Sequence, residues 1–82
     1  MRIEVLYFAA AREAAGRSNE SLDVPPRATL ADLKPLLSKR HPALERAWPA
    51  MRFAVGERFA ASEEQSLADG DRVALIPPVS GG

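Results

Sequence analysis

Cysteine is absent from this 82-residue sequence, and that one gap removes several chemistries together. Without a thiol there is no disulfide, no thiolate metal site, no iron–sulfur ligation and no cysteine nucleophile. Histidine is scarce as well. His41 stands alone, and at the end of a helical segment it reads as a helix-end residue, where an imidazolium is favoured, rather than as a ligand or base. None of Ser18, Ser21, Ser38, Ser62, Ser66 or Ser80 sits in a G-x-S-x-G setting, and no phosphate-cradling glycine loop is present. We therefore expect neither a self-sufficient enzyme nor a stably bound metal or cofactor.

A charge excess of either sign is also missing. Nine Arg and two Lys balance eleven acids, so no basic field exists to hold nucleic acid phosphates, and nucleic acid is not an expected partner. No apolar run approaches the length of a membrane span, and Glu4 lies where the apolar region of a secretory leader would begin. These features lead us to expect a cytoplasmic protein with no membrane contact.

What is present suits one small soluble domain over residues 1–82: 46% hydrophobic and 27% charged residues. Residues 2–8 alternate, with Ile3, Val5 and Tyr7 on one face and Leu6 and Phe8 on the other, and read as a strand. Ala9–Ala15 reads as a short helix stopped by Gly16. Ser21–Val24 reads as a second strand, halted by Pro25-Pro26. Thr29-x-x-Asp32 resembles a capping box that opens the main helix, whose Leu30, Leu33, Leu36 and Leu37 form an apolar face for the core. Pro35 cannot donate to the Ala31 carbonyl and should kink or loosen that helix, which we expect to reach Lys39 or Arg40.

Pro42 opens a short turn through Trp48, ended by Pro49, with Trp48 covering the core edge. Met51–Val55 reads as a third strand, Gly56-Glu57 as a turn and Arg58–Ala60 as a short partner. After a polar turn at 67–71, Arg72–Ile76 forms the last strand. Its Val73-Ala74-Leu75-Ile76 run carries no charge on either face, which places it centrally in the sheet. Periodicity by itself supports a small α+β domain.

The sequence closes on Pro77-Pro78-Val79-Ser80-Gly81-Gly82. Glycines lack Cβ atoms, so their backbone can pass a channel that a side chain would block. A terminal carboxylate becomes electrophilic once its oxygen is made a leaving group. An idle chain end is the other reading of the same residues.

Two stretches carry a resemblance that extends over the whole chain. Ala9-Ala10-Ala11-Arg12-Glu13-Ala14-Ala15-Gly16 fits the pattern A-x-x-R-E-x-x-G, and residues 69–82 fit D-G-D-x-V-A-x-x-P-P-V-x-G-G. Together with Thr29-Leu30-Ala31-Asp32-Leu33 they resemble the small, sulfur-carrier subunits of molybdopterin synthase. Gly56 replaces an Asn common in that family's turn, and Pro35 is a second departure. The resemblance implies a ubiquitin-like β-grasp fold, a mixed sheet of four to five strands with one main helix packed on one face, and residues 77–82 as an extended reactive tail.

It implies a carrier function too. An adenylyltransferase similar to ubiquitin-activating enzymes would use ATP and magnesium to adenylate Gly82. A sulfur donor, such as a cysteine desulfurase or rhodanese-like protein, would then convert it to a thiocarboxylate, delivered to cyclic pyranopterin monophosphate in the large synthase subunit. Gly81 would keep the tail narrow, Ser80 and Val79 would meet the partner's backbone, and Pro78 with Pro77 would stiffen the exit, besides ending the strand. Leu6, Phe8, Leu75 and Ile76 are candidates for an apolar docking patch, some of them necessarily core because strand faces alternate. Arg12 and Glu13 read as a solvated pair, with a partner contact as the alternative. Carriers of this fold also serve thiamine, tRNA thiolation and cysteine synthesis, and a ubiquitin-like modifier or interaction module is the reading from another class.

Overall fold

A computed structural model describes residues 1–77, and the elements follow the hydrophobic pattern closely. Strand β1 (Arg2–Tyr7) leads through helix α1 (Ala10–Ala15) to β2 (Asn19–Asp23), then to helix α2 (Leu30–Arg40). Two 3₁₀ turns, Pro42–Arg46 and Trp48–Ala50, bring the chain back to β3 (Arg52–Val55), β4 (Arg58–Phe59) and β5 (Arg72–Ile76). The five strands lie in the order β2-β1-β5-β3-β4. β5 is parallel to β1 and antiparallel to β3, so the strand that carries the uncharged Val73–Ile76 run is central, as that run predicts.

One face of the sheet is the core. Ile3, Val5 and Tyr7 are at most 2% exposed, and Leu22, Phe53, Val73 and Leu75 join them against Leu30, Leu33 and Leu37 of α2. Burying a Leu or Ile side chain contributes roughly 1.5–3 kcal/mol, so this layer dominates the stability of so short a chain. Thr29 caps α2 as its spacing predicts: Asp32 N–H donates to Thr29 Oγ1 at 3.2 Å, and Thr29 N–H donates to Asp32 Oδ2 at 3.0 Å. Gly16 ends α1 in the left-handed region (φ 72°) with its N–H donating to the Arg12 carbonyl.

Helix α2 passes Pro35 and reaches Arg40 as expected, its three buried leucines holding both halves on one sheet face. Other expectations are corrected. Pro49 does not end the segment at Trp48; it sits inside the second 3₁₀ turn, where a missing N–H is harmless. Met51 precedes β3 rather than belonging to it. β2 begins two residues earlier than its apolar alternation suggests, at Asn19.

Candidate functional site

The face of the sheet opposite α2 is assembled by cross-strand register. Leu6 of β1 is opposite Ala74 of β5, Ala74 is opposite Ala54 of β3, and Ala54 is opposite Phe59 of β4, which makes one apolar row across four strands. A second row starts at Ile76, opposite Arg52. Phe8 N–H donates to the Leu75 carbonyl at 3.3 Å, so the Phe8 backbone continues alongside β5 where that strand ends. Phe8 is 48% exposed and Phe59 53%, and they are the large hydrophobic residues left open among those described. Ala54 and Ala74 lie low between them and outside the core cluster.

This arrangement sorts the predicted docking residues. Leu6, Phe8 and Ile76 share the outer side, and Ile76 and Pro77 are half-buried at the point where the chain leaves the sheet. Leu75 is fully buried in the core. Strand alternation sends it to the inner face beside Tyr7, its partner in β1, so it cannot meet a docked protein. Pro78, Val79, Ser80, Gly81 and Gly82 lie outside the described residues. Arg12 and Glu13 are both exposed on α1.

Small flanking charges complete the face. Arg2 pairs with Asp23 at 3.2 Å and Arg72 with Glu4 at 3.0 Å, both well exposed and worth little individually. Among the described residues no group of His, Cys, Asp and Glu could hold a metal ion, and no helix is long and apolar enough to cross a membrane.

On the inner side lies a cluster that the sequence reading missed. Glu20 of β2 is 4% exposed, and its carboxylate accepts from Tyr7 Oη at 2.5 Å and from Arg40 at 3.3 Å. His41 Nε2 lies 2.7 Å from Glu20 Oε1, and Arg17 approaches Oε2 at 3.4 Å. Burial alone would push the Glu20 carboxyl up; the hydrogen bonds from Tyr7 and His41 and the charges of His41 and Arg40 outweigh it and hold the group below its ordinary value. Burial, and then the bond to Glu20, push the Tyr7 phenol far up. His41 does close α2, its N–H donating to the Leu37 carbonyl, but its ring also meets Tyr7 edge-on at 5.7 Å. The signal was available: Glu20 falls in phase with Leu22 and Val24, on the face that alternation buries. Trp48 covers the core edge as expected, stacked on Phe53 and donating to Ser38 Oγ at 2.7 Å.

A family model described as the ThiS family matches residues 5–82. The chain belongs to the ThiS family. It is 39% identical to the molybdopterin synthase sulfur carrier subunit of Chlamydomonas reinhardtii, over 100% of both chains. It is 36% identical to the human protein of the same name, over 99% of this chain and 94% of that one. Among solved structures it is similar to SAMP1, a small archaeal modifier protein of Haloferax volcanii. The TM-score is 0.88 at 32% identity, over 100% of both chains. The ubiquitin-like β-grasp implied by the ending of the sequence is thus the fold observed.

Proposed function

We propose that this chain is the sulfur carrier subunit of a molybdopterin synthase. The observation that carries the reading is the full-length similarity to carrier subunits, at 39% and 36% identity, in a chain whose last residues are the glycine pair such a role requires. The Gly82 carboxylate attacks the α-phosphate of ATP on an activating enzyme, forming the acyl-adenylate and releasing pyrophosphate. A sulfide equivalent then attacks the acyl carbon and displaces AMP, leaving a thiocarboxylate; where a protein persulfide is the donor, a thiol reductant is oxidised to a disulfide in releasing it. The carrier docks on the large synthase subunit through Leu6, Phe8 and Ile76, with Pro77 and Pro78 directing Val79, Ser80, Gly81 and Gly82 toward the pterin precursor. A cysteine-free chain suits this chemistry, because no thiol of its own competes for the activated carbonyl.

The likeness to SAMP1 favours a second reading, a modifier joined to lysines through the same activated carboxylate. One experiment separates the two. The chain is incubated with ATP, magnesium, the cognate activating enzyme and a sulfur source, with and without acceptor protein, and its intact mass is measured. Exchange of one oxygen for sulfur, followed by conversion of the precursor to molybdopterin when the large subunit is added, supports the carrier. An isopeptide-linked adduct without sulfur loading supports the modifier, and an unchanged mass with every cognate activator overturns both.

A further inference from the structure

The outer sheet face holds a feature that the docking residues already named do not use. Arg52 is exposed and, among the described residues, takes part in no ion pair; its guanidinium carbon lies 4.1 Å from the centroid of the Phe59 ring. The two other arginines of this face, Arg2 and Arg72, have carboxylate partners in Asp23 and Glu4. Of these three arginines, Arg52 is the one without an acidic partner among the described residues, and it is in register with Ile76, the last residue of β5. Phe59, 53% exposed, and Phe8, 48% exposed, bracket the same surface from β4 and β1. Three strand spacings separate those strands, or about 14 Å, a span that one partner surface can cover.

We infer that Arg52 and Phe59 form a second anchor, built to receive a carboxylate side chain of the docked protein set beside an apolar one. The inference rests on the carrier reading for the identity of that protein, the large synthase subunit. A guanidinium lying against an aromatic ring keeps its in-plane N–H groups free, and their fork matches a carboxylate. The ring also fixes the side chain in advance, so less freedom is lost on docking. Aromatic and arginine side chains beside a strip of small apolar residues are the composition of an interface hot spot. A docked carboxylate would neutralise the remaining charge, whereas a basic partner surface would be repelled.

The test is titration calorimetry of the cognate large subunit with wild-type chain, Arg52→Glu, Arg52→Lys, Phe59→Ala and Phe8→Asp, each checked for an unchanged melting temperature. Arg52→Glu should weaken binding about 30-fold or more and Phe59→Ala about 10-fold. Arg52→Lys should lose less than the reversal but not restore full affinity, since an ammonium cannot make the fork. Full affinity in Arg52→Glu and Phe59→Ala, with Phe8→Asp unable to bind, overturns this anchor and leaves docking through the face intact. If the wild-type chain does not bind, the carrier reading falls and the anchor with it. Should Arg52→Glu prove unstable, Arg52→Lys and Phe59→Ala decide, and wild-type affinity in both overturns the inference.

Discussion

Tyr7 of β1 and Glu20 of β2 meet side chain to side chain at 2.5 Å, both buried, at the edge of the sheet where α2 ends. The bond links two neighbouring strands and, through Arg40 and His41, links both to the end of the helix. Tyr7→Phe removes one donor from a buried carboxylate that keeps its other partners. The expected loss is about 1–3 kcal/mol of unfolding free energy, read by denaturant titration. Glu20→Ala should cost more, because Tyr7 and His41 then both lose their acceptor.

The same cluster sets a pH dependence. The Glu20 carboxyl is held below its ordinary value of 4.5 in the folded protein by Tyr7, His41 and Arg40, which outweigh burial, and Arg17 also faces it. A group whose folded value is depressed stabilises the fold above the unfolded value, and that contribution fades as pH falls through the folded one. Melting temperature should thus stay level with respect to Glu20 down to about pH 5 and drop below pH 4.5. Glu20→Gln should start lower at neutral pH and show a shallower acid limb. Parallel limbs in the two proteins would contradict this assignment.

Ala9 has φ 49° and ψ −122°, a conformation that costs a residue with a Cβ atom. Ala9→Gly should relieve it and raise stability by about 1 kcal/mol, against the usual direction for a glycine substitution. Thermal melts of the two proteins give the sign directly.

Thr29→Ala removes one half of the reciprocal bonds that open α2. About 1 kcal/mol should be lost. Leu33→Ala or Leu37→Ala, at fully buried positions on the same helix, should cost about 2–5 kcal/mol.

Removal of Gly82 should abolish sulfur loading while leaving the melting temperature within error of wild type, since among the described residues the core has no member beyond Leu75. Intact mass after activation and a thermal melt of the same preparation read the two effects. A drop in melting temperature as large as that of Leu33→Ala would show that the tail has a structural role.

Most of the architecture was legible because period and composition agree. Alternation in β1, the uncharged run of β5, the leucine spacing of α2 and the Thr29–Asp32 pair each point to the element that forms. What escaped the sequence depends on contacts between distant segments. Pro35 signals a kink or loosening in α2, and the packing of Leu33 and Leu37 on the sheet shows what carries the helix through to Arg40. Leu75 and Ile76 are equally apolar, so their assignment to core and surface had to await the register of β5 against Tyr7 and Arg52. Glu20 lies in phase with Leu22 and Val24, but the partners that satisfy it there, Arg40 and His41, lie about 20 residues away.

The central place of β5 has a mechanical consequence for the chain that follows it. Its backbone is laddered to β1 on one side and to β3 on the other, with the bonds running across the strand. A pull on the chain beyond Pro77, directed along the strand, therefore loads both ladders in shear, so many bonds must yield together instead of one after another. On the proposed carrier role, a partner drawing on the end would meet this resistance before the body unravelled.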